Sequence, residues 1–355
     1  MTKHRVGIIG CGRRFRTEGA TGFGMAHSHA EGYEASPEAE VVALADIDLD
    51  NARAFQEQHG GDAIYQDYRE MLSSERLDIV SICTWPHLHA EMVIASAEAG
   101  VKAIHCEKPM APTYGESVQM VRACEERGVQ LTFNHQRRFG PPFRRAKELL
   151  ESGAIGTLLQ LEGTCPDLFD WGTHWFDMIL FYNDQNPVEW VMGQIEPSGG
   201  GRVFGVPVEG QGISHFKFSN GVYGLMMTGR GTDRRTQIRL VGTDGVIVIS
   251  PGRQVPLQMW GKGQSQWQNI ELGGDLDAIG YVTSAILDLI DALDSGREPE
   301  LSARKALQAT ELIFATYESS RKRGRVQLPL EIDDSPFLSM LESGDMVADF
   351  PPVEW

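Results

Sequence analysis

Ile104-His105-Cys106-Glu107-Lys108-Pro109 decides how the rest of the chain is read. Lys102 to Cys106 has the character of a short buried strand, and a carboxylate, an ammonium and a proline follow at once. In an open parallel sheet, ligands bind beyond the carboxyl ends of the strands, which is where Glu107 and Lys108 fall. Proline fixes its own φ and offers no N–H to the ladder, so the chain turns here and Lys108 is held at the strand edge. A lysine there is a compact charged donor for a substrate hydroxyl or a ribose. A surface Glu-Lys pair at a strand end would read the same, so the flanking sequence has to decide.

Upstream, Arg5-Val6-Gly7-Ile8-Ile9-Gly10 reads as a buried strand, and Gly10-Cys11-Gly12 turns out of it. Glycines at such a turn let the backbone approach a pyrophosphate, and a following helix offers its free N–H groups. The third position of GxGxxG is Phe15, which breaks the fingerprint, and a helical pattern resumes at Gly24. Arg13 to Phe23 is therefore read as an eleven-residue insertion. Its Arg13, Arg14 and Arg16 suit either a clamp on an anion or a solvated loop. Val41 to Ala45 is the second strand, and Asp46 ends it where a carboxylate binds the ribose 2′-OH. Gly12 to Asp46 spans 34 positions, or 23 once the insertion is set aside, close to the usual spacing of about 20. With no Arg or Lys between Ile47 and Asn51, NAD is expected rather than NADP.

Further strands at Ala63–Tyr65, Ile79–Cys83 and Gln130–Phe133, alternating with helices, complete a doubly wound parallel sheet. After Phe139-Gly140-Pro141-Pro142 the rhythm changes to seven strand-like runs between Leu158 and Trp260. Ser219-Asn220-Gly221 and Thr243-Asp244-Gly245 signal hairpins, so the sheet is expected to be open and mainly antiparallel. Two helices follow, near 276–293 and 302–322. The expected fold is thus α/β: a Rossmann domain over 1–140, then an α+β substrate-binding and oligomerisation domain over 141–355, with a tail from about 328. Asp170, His174 and Asp177 have helical spacing for one shared face. Histidine is the side chain best tuned to move a proton near neutral pH. A histidine among Trp and Phe is more often a satisfied core residue, and Trp171 and Trp175 serve packing as well as they would a sugar-stacking wall.

Composition bounds the rest. A chain of 355 residues exceeds one ordinary core. The net charge of −17 argues against nucleic acid or an anionic membrane as partner. No stretch approaches the roughly 18 apolar residues of a membrane span. The chain enters a strand directly after Met1-Thr2-Lys3-His4, leaving no room for a signal peptide. Five cysteines without CxxC spacing read as small buried residues in a reducing compartment, so a cytoplasmic protein without a metal is expected.

Taken together, these pieces resemble the Gfo/Idh/MocA family, the glucose–fructose oxidoreductase and inositol dehydrogenase group. The likeness rests on Gly7 to Gly12, Asp46, Thr84 to His89, Glu107-Lys108-Pro109, Arg137-Arg138-Phe139 and Asp170-xxx-His174-xx-Asp177. It implies an NAD(P)-dependent sugar, polyol or inositol dehydrogenase in which Lys108, Asp170 and His174 meet the reacting carbinol. It implies cofactor contacts from Gly10, Cys11, Gly12, Asp46, Thr84, Trp85, Pro86, His89, Glu107 and Lys108, and substrate contacts from Arg138, Trp171 and Asp177. A homo-oligomer, dimer or tetramer, is also implied. Besides the insertion, Trp85 replaces a common proline, and Pro166-Asp167-Leu168-Phe169 replaces the usual glycine pair before Asp170. The same residues would serve an NAD-dependent glycoside hydrolase or lyase that oxidises its sugar transiently. A non-enzymatic NAD-binding sensor is the third reading.

Overall fold

In the computed structural model, which describes residues 3–20, 22–229, 236–252, 254–273, 278–348 and 350, two sheets meet along one cavity. The first contains β1 (His4–Ile9), β2 (Ala39–Ala45), β3 (Ala63–Tyr65), β4 (Ile79–Ile82), β5 (Ala103–Cys106) and β6 (Gln130–Phe133). They are ordered β3-β2-β1-β4-β5-β6 and pair in parallel throughout. The strand order reverses between β1 and β4, which opens a crevice at their carboxyl ends. Every residue of β4 and β5 is buried, because helices cover both faces of a parallel sheet. Those helices are α1 (Met25–Glu34), α2 (Leu49–His59), α3 (Tyr68–Ser74), α4 (Pro86–Glu98) and α5 (Tyr114–Glu125). Side chains of Asp48, Asp67 and Thr113 accept the first free N–H groups of α2, α3 and α5. Helix α3, only seven residues long, was not expected, being too short to show a period.

A 3₁₀ turn (Gln136–Phe139) and α6 (Pro141–Glu151) lead into the second half. Its strands are β7 (Leu158–Cys165), β8 (Val188–Glu196), β9 (Gly201–Val203), β10 (Val206–Val208), β11 (Gln211–Phe218), β12 (Tyr223–Gly229), β13 (Gln237–Gly242), β14 (Gly245–Ile249), β15 (Leu257–Gly261), β16 (Gln268–Asn269) and β17 (Val326–Gln327). All but the β9–β10 hairpin form one sheet, β16-β15-β14-β13-β7-β12-β11-β8-β17, in which β7–β12 alone is parallel. The seven expected strands are all present; β9, β10, β16 and β17, two or three residues each, are too short to show a period.

The remaining helices are α7 (Gly172–Tyr182), α8 (Ala278–Ser295), α9 (Ala303–Lys322) and α10 (Pro336–Ser343). Helices α7 and α9 close one face of the large sheet around Trp175, Phe176, Phe216 and Phe314. Helix α8 instead returns to the first sheet, where Ile286, Leu289 and Ile290 join the core of Val6, Ile8 and Leu44. Each such side chain contributes roughly 1.5–3 kcal/mol on burial. At Gly32 a Cβ would fall 2.8 Å from Ile286, so glycine lets α1 and α8 close on each other. Ala303 and Ala306 of α9 join the core on the other face of the sheet. The first core is therefore completed by residues that follow 141 in sequence. No helix among the described residues is long and apolar enough to cross a membrane.

Candidate active site

The chain beyond β5 turns through a cis Lys108–Pro109 bond. Glu107 anchors that turn from below: its Oε1 accepts from His29 Nε2 at 3.0 Å and from Asn134 Nδ2 at 2.6 Å. Burial works to raise the Glu107 pKa, but these bonds and the charge of His29 outweigh it and hold the carboxyl at about 2. The fully buried His89 ring adds a second brace, with Nδ1 2.9 Å from Pro109 O and Nε2 3.1 Å from Thr84 O. Lys108 is thus fixed at its base, and its Nζ donates to Asp170 Oδ1 at 2.5 Å.

Asp170 lies in the turn just before α7, not on the helix as its spacing suggested. Asp167 Oδ1 shapes that turn by accepting the N–H of Asp170 at 2.7 Å and of Trp171 at 3.3 Å. His174, on the first turn of α7, is 4% exposed, and neither ring nitrogen has a hydrogen bond among the described residues. Burial first, then the charges of Arg137 and Lys108, push its pKa well below the ordinary 6.5. The imidazole is therefore neutral at pH 7 and able to take a proton.

Lys108, Asp170 and His174 converge on a cavity of about 390 Å³. Gly10 and Gly12 line one end, Cys83, Thr84 and Trp85 beyond β4 line its side, and Trp171 faces it from the second half. The insertion supplies Arg13, Gly22 and Phe23. Phe23 packs on Phe15 at 5.0 Å and on Phe204 of the β9–β10 turn at 6.1 Å, so the loop bridges the two halves at the cavity. Of its arginines, Arg13 Nε donates to Asn51 Oδ1 at 3.1 Å, Arg14 pairs with Glu31, and Arg16 lies over the Phe15 ring.

Other expected residues lie off the cavity. The Cys11 thiol is buried, while its backbone N–H donates to Asp46 Oδ2 at 2.7 Å. Pro86 opens α4, where a missing N–H is harmless. Arg138 and Asp177, expected at the substrate, are each 1% exposed and bond to one another. Of the quoted Arg137-Arg138 pair, the expected substrate contact was Arg138, whereas Arg137 lines the cavity; Gln136, also on the cavity, and His29 and Asn134, which hold Glu107, were not expected. Their signal was the polar run 134–138 at the carboxyl end of β6.

Residues 4–135 match the model of an oxidoreductase family with an NAD-binding Rossmann fold, GFO_IDH_MocA, and residues 168–248 match the GFO/IDH/MocA C-terminal domain. The chain belongs to the Gfo/Idh/MocA family. D-apiose dehydrogenase of Paraburkholderia graminis is 26% identical over 97% of this chain and 95% of its own length. Levoglucosan dehydrogenase of Pseudarthrobacter phenanthrenivorans is 30% identical over 63% and 68%. A solved levoglucosan dehydrogenase in complex with NADH and levoglucosan superimposes with a TM-score of 0.79 at 23% identity, covering 93% of this chain and 100% of that one.

The residues present fit the dinucleotide of Gfo/Idh/MocA enzymes. A Cβ built on Gly12 meets no atom within 4 Å, so the turn leaves open space in which a pyrophosphate would fit against the backbone. Gly10, at φ +88°, makes the turn itself. Asp46 ends β2 with its carboxylate drawn to the glycine turn by the Cys11 N–H.

Proposed function

We propose that this protein is an NAD-dependent dehydrogenase of a secondary carbinol on a sugar, polyol or inositol, with Lys108, Asp170 and His174 at the reacting centre. The observation that carries the reading is the convergence of a braced lysine, a carboxylate and an unbonded neutral histidine on a cavity that continues to the glycine turn. Bound NAD supplies the hydride acceptor. His174 takes the hydroxyl proton, a role open to it because burial and two nearby cations keep it unprotonated. Lys108 donates to the carbinol oxygen and stabilises the negative charge that grows there. Asp170 orients Lys108 and accepts from a neighbouring hydroxyl. Trp171 offers an apolar ring face to the sugar. We assign Thr84, Trp85 and Glu107, with the glycine turn and Asp46, to the cofactor side.

The test is NADH formation followed by absorbance over inositols, free sugars, anhydrosugars and aryl glycosides. Lys108→Met should lower kcat about 100-fold or more while NAD still binds. Aryl release without net NADH would move the protein to the hydrolase or lyase reading. Binding of NAD without turnover in any channel would favour the sensor.

We further propose that the uncovered face of the large sheet joins copies of this chain. Trp190, Met192, Ile213, His215 and Tyr223 lie on it, with Met192 56% and Ile213 45% exposed, an apolar patch of the kind that marks an interface. Light scattering should report a dimer or tetramer, and a monomeric mass would refute this.

A further inference from the structure

Arg137 and Arg138 are consecutive, yet the 3₁₀ turn sends Arg138 into its ion pair and Arg137 to the cavity wall. The Arg137 guanidinium lies over the rings of Trp171 at 5.4 Å and Trp175 at 5.1 Å. It makes no hydrogen bond and no ion pair with any described residue, and its Nη1 is sealed from solvent. The Asp170 carboxylate, which acts on it electrostatically, is already bonded to Lys108. A partly desolvated cation that shares its strongest carboxylate interaction with a lysine is costly to keep. The indoles answer only its flat faces. Nε and Nη2, which are not sealed, leave one forked edge for a planar acceptor in the same plane, and a carboxylate matches that geometry. On the same wall, Gln136 carries a buried Oε1 acceptor without a donor.

We infer that the substrate is a polyhydroxy acid whose carboxylate binds Arg137 while its carbinol lies at Lys108, Asp170 and His174. The inference rests on the dehydrogenase reading and narrows it from sugars and polyols in general to sugar acids. The carbinol carbon gives up a hydride to NAD, the hydroxyl gives its proton to His174, a carbonyl forms, and the carboxylate is unchanged. An anion at Arg137 also offsets a charge that weighs against protonation of His174, so the acid's arrival strengthens the base as the proton has to move.

Matched pairs differing in the acid group test this: sorbitol and gluconate, galactitol and galactonate, glucose and glucuronate. For the full chain with NAD, kcat/KM for at least one acid should exceed that of its neutral partner by about tenfold or more. Arg137→Gln should erase that preference, mainly through KM, and Arg137→Lys, which keeps the charge but loses the fork, should keep part of it. The wild-type ratios decide the matter even if a variant fails to fold. Neutral members turning over as well as the acids would overturn the carboxylate and leave the dehydrogenase reading standing. A preference for acids untouched by both substitutions would overturn the role of Arg137. Silence across all pairs, with NAD bound by calorimetry, would overturn the dehydrogenase reading and this inference with it.

Discussion

Arg138 clasps Asp177 through two charge-assisted hydrogen bonds, Nε to Oδ2 at 2.8 Å and Nη2 to Oδ1 at 2.7 Å, in a place sealed from solvent. Glu300 Oε1 accepts from Nη1 at 3.1 Å, so the pair ties the turn after β6 to α7 and to the loop before α9. Removing one partner strands the other charge in a dry interior, at a cost of about 3–5 kcal/mol. Arg138→Ala and Asp177→Ala should each show that loss in urea unfolding, and Arg138→Met with Asp177→Leu should recover part of it. Normal stability with lost turnover in the single variants would instead place the pair at the substrate.

That pair also shows what the sequence could and could not tell. Alternating strands and helices, the glycine turn, Asp46 and Lys108 were legible because each follows from a local rule of period, turn chemistry or strand-end placement. Which of two adjacent arginines faces the cavity is decided by a single 3₁₀ turn, and no local pattern encodes it. Asp170 and His174 lie on one cavity, but not through the shared helical face that their spacing suggests. Asp167 folds the preceding turn so that Asp170 meets Lys108, a contact across 62 positions that no helical spacing contains. Glu107 is implied by the resemblance as a cofactor contact, while its bonds to His29, on α1 and 78 positions away, and to Asn134, just beyond β6, follow from no local pattern. The return of α8 to the first sheet was hidden likewise, since an amphipathic pattern names a buried face but not its partner.

Gly12 and Gly10 should part company under the same substitution. A methyl on Gly12 points into open space, so Gly12→Ala should leave the unfolding midpoint near wild type and weaken NAD about tenfold or more, read by calorimetry. On Gly10 it would meet Cys83 O at 2.7 Å, in a backbone at φ +88°. That conformation alone costs an L-residue about 1–2 kcal/mol. Gly10→Ala should therefore lower stability first, and equal behaviour of the two variants would contradict the assignment of Gly12 to the cofactor.

Cofactor choice should hinge on Asp46, whose carboxylate would repel a 2′-phosphate and would accept from a ribose 2′-OH. Positions 47–51 offer no cation, but Arg13 reaches Asn51 from the insertion and supplies one nearby. Asp46→Ser removes the repulsion and leaves Arg13 in place. The ratio of kcat/KM for NAD over NADP should then fall at least about tenfold, and Arg13→Ala in that background should restore much of it. An unmoved ratio would mean that another group reads the ribose.

The turn that delivers Asp170 rests on a buried acid, and its titration should be visible in stability. Glu209 is fully buried; its Oε1 accepts from Leu168 N at 2.6 Å and Thr228 Oγ1 at 2.9 Å, and its Oε2 from Tyr317 at 3.0 Å. Burial first, then the charge of Asp167, push its pKa up from 4.5 to about 7. Between those values the folded chain keeps a proton that the unfolded chain has lost, so stability falls as pH rises through that window and levels off above it. Glu209→Gln keeps the shape and removes the linkage. Urea midpoints from pH 5 to 8 should slope downward more steeply in wild type than in the variant, whereas parallel slopes would show that Glu209 stays ionised throughout. The same substitution leaves Lys108 and His174 untouched, so any loss of turnover that accompanies it reports on how firmly Leu168 and its turn hold Asp170 against the lysine.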